Sequence, residues 1–246
     1  MRRFRLGASA ARIDLGVKPA SIANDGFAPA AGSCMIIAYR ADTEGCHAGH
    51  ARLVRFEPDV KGLGGAIWID LVNPTPEDDQ AIETHLGIAI PTREEVRDLE
   101  PSEIIYSEGD ASFMTARVLC HTDGNVPKLT DITFILTSEA LVTVRYEDPR
   151  SFAMFVHRAS KPGGVLSLPA GVLDGLIATI VDRAVEVLRG VRYRMEAGAR
   201  QVFEGRAQTV EQRGSYQRII RSIGQYAHTI SNVRESMSSI ERVLLF

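Results

Sequence analysis

The stretch Trp68-Ile69-Asp70-Leu71-Val72-Asn73-Pro74-Thr75-Pro76-Glu77 decides how the first half of this chain folds. Trp68 to Val72 belongs to a short run rich in aromatic and β-branched residues, a strand signal that Asn73-Pro74 ends. Thr75 stands where a helix wants its N-cap and Pro76 fits the first helical position. Glu77, Asp78 and Asp79 put negative charge in the first turn, where the helix dipole favours it, so those acids have a sufficient structural reason to be there. A strand that passes straight into a capped helix signals a sheet with helices packed on it.

Working outward, Met35 to Tyr39, Leu53 to Phe56, Ile67 to Val72, Ser112 to Leu119, Asp131 to Leu136 and Leu141 to Tyr146 read as strands. Short helices are expected from about Thr92 to Leu99 and from about Pro149 to Ala159. After Lys161-Pro162-Gly163-Gly164 the period changes. Val172, Leu176, Ile180, Ala184, Val187 and Val191 recur at helical spacing and predict a helix to about Phe203, followed by a tight turn over Gly205 to Thr209. Tyr216, Ile219, Ile223, Tyr226, Ile230, Val233, Met237, Ile240 and Leu244 then follow alternating steps of three and four. That repeat predicts a helix–helix seam, with an ordinary helix lying on the sheet as the plainer alternative. The chain stops at Val243-Leu244-Leu245-Phe246, apolar and in helical register, with no C-cap glycine or proline. The expectation is a hairpin that wants a third helix.

Composition narrows the function classes. A net charge of -3 and pI near 6.1 give no global electrostatic case for nucleic acid, whose affinity comes largely from phosphate neutralisation. Cys34, Cys46 and Cys120 are odd in number and form no CxxC pair, which fits a reducing compartment. The apolar stretches Ile132 to Val144 and Val172 to Leu188 are interrupted by Ser138 and Glu139 or by Asp174 and Asp182, so neither reads as a membrane helix. Residues 1–34, with Arg2, Arg3, Arg5 and Arg12 and no continuous apolar core, read as a disordered extension and not as a secretory signal.

The sequence holds no GxxxxGK[ST], GxSxG, HExxH or post-strand GxGxxG motif, which counts against an enzyme. Cys46-His47 with His50 lacks a fourth ligand at recognisable spacing for zinc. Glu94, Glu95, Asp98 and Glu100 form a denser acidic group on and just after one short helix; carboxylate oxygens suit a hard cation such as Mg²⁺, and a solvated helix start is the bland reading. Asp174 and Asp182 lie two turns apart on the first long helix, where they line a cation site or simply face water.

Taken together, the run Trp68 to Glu77, then Leu86-Gly87-Ile88, Glu94-Glu95-Val96, Ile132 to Leu136 leading into Leu141-Val142-Thr143-Val144-Arg145, Ile180-Val181-Asp182-Arg183, and Arg234-Glu235-Ser236-Met237-Ser238-Ser239-Ile240 resembles the CorA family of divalent cation transporters. The order and spacing match from Met35 to Phe246. The resemblance implies an α+β chain: an αβα sandwich with a mixed central sheet over residues 35–160, then a long antiparallel helical hairpin over 165–246. In the family these precede a stalk and two membrane helices, which this sequence is expected to lack, so the chain alone is not expected to conduct.

The resemblance further implies a cytosolic, gating portion of a homopentameric inner-membrane transporter of Mg²⁺, or of Co²⁺, Ni²⁺ or Zn²⁺. It would be held shut by regulatory Mg²⁺ bound between subunits. Glu94 and Glu95 match the family's acidic pair, usually Glu-Asp, and Asp182 matches a helix acid, while Ala178 stands where a further Asp is common. Glu94, Glu95 and Asp182 are therefore the candidate metal ligands, with no organic cofactor and no catalytic residue. The competing reading is a soluble interaction protein that uses its heptad face for a partner. A metal-dependent hydrolase on Glu94, Glu95 and His85 is a remote third.

Overall fold

The computed structural model describes residues 35–56, 63–98, 104–124, 126–204 and 211–246, with side chains described throughout except in 98, 201–204 and 211–216. The expected extension over 1–34 and the turn Gly205 to Thr209 lie outside the described residues, as do Cys34, Leu99 and Glu100.

One mixed sheet organises the first part. Its strands are β1 (Met35–Asp42), β2 (His50–Phe56), β3 (Trp68–Val72), β4 (Ile105–Glu108), β5 (Ala111–Cys120), β6 (Lys128–Leu136), β7 (Leu141–Arg145) and β8 (Val165–Leu166), in the order β4-β5-β6-β7-β3-β1-β2-β8. β3 and β7 run parallel, and the other neighbouring pairs are antiparallel. The helices are α1 (Pro76–Leu86), α2 (Arg93–Asp98), α3 (Arg150–Ala159), α4 (Pro169–Glu204) and α5 (Glu211–Leu245).

Strand periodicity sorts the core into two layers. Trp68, Leu141, Met114, Ala116, Phe134 and Ile132 point to one face and pack with Phe152 and Phe155 of α3, Leu176 and Ile180 of α4, and Ile240 and Val243 of α5. Ile69, Leu71, Phe113, Ile135, Val142 and Val144 point to the other, where they meet Ile82 of α1 and the segment around Ile90. The result is the helix–sheet–helix sandwich expected from the resemblance. Gly175 permits the close approach of α3 to α4, since a Cβ there would lie 2.8 Å from the Phe155 ring.

The short helices keep the local chemistry read from the sequence. Thr75 caps α1 in a reciprocal box: its hydroxyl accepts from the Asp78 N–H and the Asp78 carboxylate accepts from the Thr75 N–H. Gly87, at φ 68°, closes the helix in the left-handed region that a side chain would disfavour. Strands β4 and β8 escaped the sequence reading because each is very short and lies at a sheet edge, where burial imposes little pattern.

The heptad stripe of α5 is divided. Val233 and Ile240 are buried and Met237 partly so, but Ile223, Ile230 and Leu244 are exposed. Thr229, Asn232, Ser236 and Ser239 turn inward instead. The reason is that α5 does two jobs. It pairs with α4 through Val233, Ala184 and Val187, and it also lies along β5. Among the described residues β4 pairs with β5 over Ala111 to Met114 and the Thr115 N–H reaches the Ile104 carbonyl, so the N–H groups of β5 beyond them need other partners. Ser239 supplies one: its hydroxyl accepts from the Arg117 backbone N–H at 2.9 Å. Asn232 donates to the Pro127 carbonyl at 2.8 Å, and the Arg117 guanidinium pairs with Glu235 and with Asp131 at 3.4 Å. Small polar residues therefore occupy positions that a pure helix–helix seam would give to larger apolar ones.

Candidate functional site

The acidic helix α2 is built and aimed by its surroundings. Thr92 caps it, and the Glu95 carboxylate accepts from both the Thr92 N–H (2.8 Å) and the Thr92 hydroxyl (3.0 Å), a second capping box. One oxygen of Glu95 is thus committed to starting the helix. Glu94 is exposed and has no hydrogen bond or ion pair among the described residues.

Behind α2, the Ile90 N–H donates to Glu83 of α1 at 2.8 Å, and Arg93 lies 4.9 Å over the Tyr146 ring at the end of β7. Asp79 sits in the same region with one carboxylate oxygen buried and unpartnered. Burial, then the nearby Glu83 and Asp78 carboxylates, push its pKa up to about 6. Burial and Asp79 also raise the Tyr146 hydroxyl, while the Arg93 guanidinium and backbone N–H pull it the other way. The segment that presents Glu94 and Glu95 is therefore tied to both α1 and the sheet.

Asp182 stands elsewhere. It lies on α4 with its side chain 71% exposed and, among the described residues, makes only a long ion pair with Arg158, at 3.8 Å. Asp174, Ala178 and Asp182 follow one another at steps of four on the same solvent-facing side of the helix, so Ala178 interrupts a row that would otherwise be acidic. Helix α4 packs on the face of the sheet opposite the one covered by α1 and the segment leading into α2. The chain does not bring Asp182 to Glu94 and Glu95. No three His, Cys, Asp or Glu side chains come together as a metal site among the described residues, and Cys46, His47 and His50 are no exception. The Cys46 sulfur instead accepts from the Gly163 N–H at 3.2 Å.

Two charged networks were missed by the sequence reading. Deep on the α3/α4 side, Arg145 grips Asp70 through Nε and a terminal guanidinium nitrogen at 3.0–3.1 Å, with both side chains at most 5% exposed. Thr143 donates to the same carboxylate at 2.7 Å and accepts from the Trp68 indole N–H at 3.0 Å. The remaining guanidinium face reaches Asp148 (2.7 Å) and the Glu147 carbonyl, and the group lies 4.7 Å over the Phe152 ring. The signal was available: Asp70 is the one charged residue in β3 and Arg145 closes the apolar strand β7. The second network joins α4 to the β5–β6 turn. Arg183 binds Thr122 at 2.9 Å, Asp123 at 3.0 Å and Glu186 at 2.6 Å, beside a cavity of about 130 Å³. Its charge is answered by those acids, which fits a clasp between elements.

No helix among the described residues is long and apolar enough to cross a membrane. A model of the family described as CorA-like Mg2+ transporter protein matches residues 64–245. The magnesium transport protein CorA of Haemophilus influenzae strain Rd is 24% identical over 196 residues, covering 80% of this chain and 61% of that protein. Its counterpart in Pasteurella multocida is 23% identical over 197 residues, with the same coverage. Among solved structures, the soluble domain of CorA from Methanocaldococcus jannaschii matches with a TM-score of 0.61 at 13% identity, over 85% of this chain and 77% of that one. The sandwich and hairpin are thus the fold of that domain. The chain spans about 61% of the length of these curated relatives.

Proposed function

The chain belongs to the family of CorA-like Mg²⁺ transporter proteins, and from that membership we propose that it is the cytosol-facing regulatory portion of a divalent-cation transporter of the inner membrane. Mg²⁺ is the favoured cargo, as the names of the relatives suggest, with Co²⁺, Ni²⁺ or Zn²⁺ as alternatives. In this reading copies of the chain assemble into a homopentamer. Glu94 and Glu95 of one subunit meet Asp182 of its neighbour around a regulatory Mg²⁺. A cation held between subunits favours the arrangement in which its ligands are close, and so shifts the population toward a closed state.

One observation carries this reading. The candidate ligands are solvent-facing, and α4 packs on the face of the sheet opposite the one met by the segment leading into α2, so a site that uses all three needs two copies. The donor set fits: carboxylates suit a hard ion that keeps several of its waters, and Glu94 is uncommitted to any structural bond among the described residues. Family membership and the absence of a catalytic motif both speak for transport and not for catalysis.

Sedimentation velocity with and without millimolar Mg²⁺ tests the proposal. The expected result is a larger species with Mg²⁺ that is lost in Glu94→Gln, a variant that removes charge without touching the Thr92 cap. Glu95→Gln should act similarly while keeping its capping bond, because a glutamine serves in a capping box. Identical sedimentation with and without the ion would refute the inter-subunit site.

A second reading rests on the open half of the α5 stripe. Ile223, Ile230 and Leu244 are 57%, 44% and 61% exposed, and such a row suits a partner helix. An interaction protein built on this face would bind its partner with no dependence on Mg²⁺.

A further inference from the structure

Charge is unevenly distributed along this acidic chain. The whole sequence carries a net -3, yet between Arg189 and Arg221 it has eight arginines, no lysine and three glutamates. The described parts of that stretch, 189–200 and 217–226, hold six of the arginines and a single acid, Glu196. This is the far half of the hairpin. On α4 the buried residues end at Val191, and on α5 they begin at Thr229, so none of the described side chains between them is buried.

Helical spacing gathers the features. Arg189, Arg192, Tyr193 and Arg200 follow steps of three, one and seven, which sets them on one side of α4, opposite buried Val187 and Val191. Arg192 is 81% exposed and, among the described residues, makes only a 3.5 Å surface pair with Glu196; Tyr193 is 68% exposed. Elsewhere on this half, Ile220 on α5 is 69% exposed, and Met195, 47% exposed, falls nearer the Val191 side of α4. Arg194 lies 5.9 Å over the Tyr226 ring and ties the two helices together.

We propose that the distal half of the α4–α5 hairpin is a docking surface for an anionic phospholipid membrane. Such a leaflet matches the charge of this face, on which Tyr193 is exposed among the arginines. Guanidinium groups bind phosphate through paired N–H donors, and each cation near an anionic leaflet adds attraction that salt screens. Tyr193, 68% exposed among those arginines, suits the headgroup–acyl boundary, where an aromatic ring with a polar tip is at home. This inference uses neither Glu94, Glu95 nor Asp182 and stands apart from the Mg²⁺ reading.

The test is cosedimentation of the full chain with vesicles of phosphatidylcholine alone or with about a third phosphatidylglycerol. Binding is expected only to the anionic vesicles, with release as added salt shortens the Debye length. Arg189→Gln, Arg192→Gln and Arg200→Gln combined should weaken it on the order of a hundredfold, while Glu196→Arg should tighten it several-fold. Circular dichroism melts of both variants should match the parent, since every changed side chain is exposed. Equal retention on neutral vesicles, or unchanged binding by the triple variant, would overturn the proposal. So would two diversions of the same arginines: tight binding of a single-stranded RNA oligonucleotide with no vesicle binding, or self-association lost in the triple variant with no vesicle binding.

Discussion

Replacing Arg145 by methionine should be among the costliest single changes in this protein. Met keeps much of the side-chain volume over Phe152 but withdraws the hydrogen bonds at 3.0–3.1 Å that neutralise Asp70. The stranded carboxylate keeps only the Thr143 hydroxyl and sits almost fully buried. Breaking a buried pair from one side costs about 3–5 kcal/mol, a large share of a typical stability of roughly 5–15 kcal/mol. For a chain of this size that lowers Tm by about 10 °C.

The partner change is not symmetric. In Asp70→Leu the guanidinium still has Asp148 and the Glu147 carbonyl, so the loss should be smaller, about 2–3 kcal/mol. The double variant Asp70→Leu/Arg145→Met leaves no orphaned charge in the core and should be more stable than Arg145→Met alone. Urea unfolding of the four proteins gives the coupling directly from a double-mutant cycle. Costs that simply add, or an Asp70 variant as damaged as the Arg145 one, would refute the argument that an unpaired buried charge is the source of the loss.

Other expectations follow from the divided stripe and the helix ends. Val233→Ala and Ile240→Ala should each cost about 2–3 kcal/mol in urea titrations, whereas Ile223→Ser and Ile230→Ser should stay within about 0.5 kcal/mol, although all four belong to one heptad pattern. Asp79 has a folded pKa of about 6 against an ordinary 3.8, so its contribution is favourable at low pH and is lost as pH rises through about 6. Asp79→Asn should therefore raise stability at neutral pH, by no more than about 1 kcal/mol after solvent screening, and the gain should vanish near pH 4 in melts across that range. Glu95→Ala should destabilise α2 by about 1 kcal/mol through loss of its capping box, and Glu95→Gln should not, as amide exchange around Val96 would report.

Local rules carried much of the fold reading. Thr75-Pro76 with Asp78, the Gly87 stop, and the change from a period of two to one of three and four after Gly164 each act within a few residues of sequence, so the elements were readable. Which way α5 turns its stripe was not. Ile223 and Ile240 share a pattern, but one faces water and the other the core, because the Arg117 N–H of β5 draws Ser239 inward and the Pro127 carbonyl before β6 draws Asn232. That competition is between segments more than a hundred residues apart. The Asp70–Arg145 pair was hidden for a similar reason: its partners are joined by parallel strand register, Asp70 beside Thr143 and Val72 beside Arg145, which no local pattern states. For the candidate site, sequence located Glu94, Glu95 and Asp182 but said nothing of Glu95's second task at the helix start or of the sheet standing between the two groups.

The bond from the Arg117 N–H to Ser239 has a bearing on how this protein misfolds. Among the described residues β5 has no strand on its outer side past Thr115, and an uncovered edge of that kind recruits any extended chain it meets. Helix α5 therefore serves as a guard against aggregation as well as a packing element. A fragment ending before Thr229 would keep the sheet but lose its guard, and inclusion bodies or fibrils are the expected fate of such a truncation.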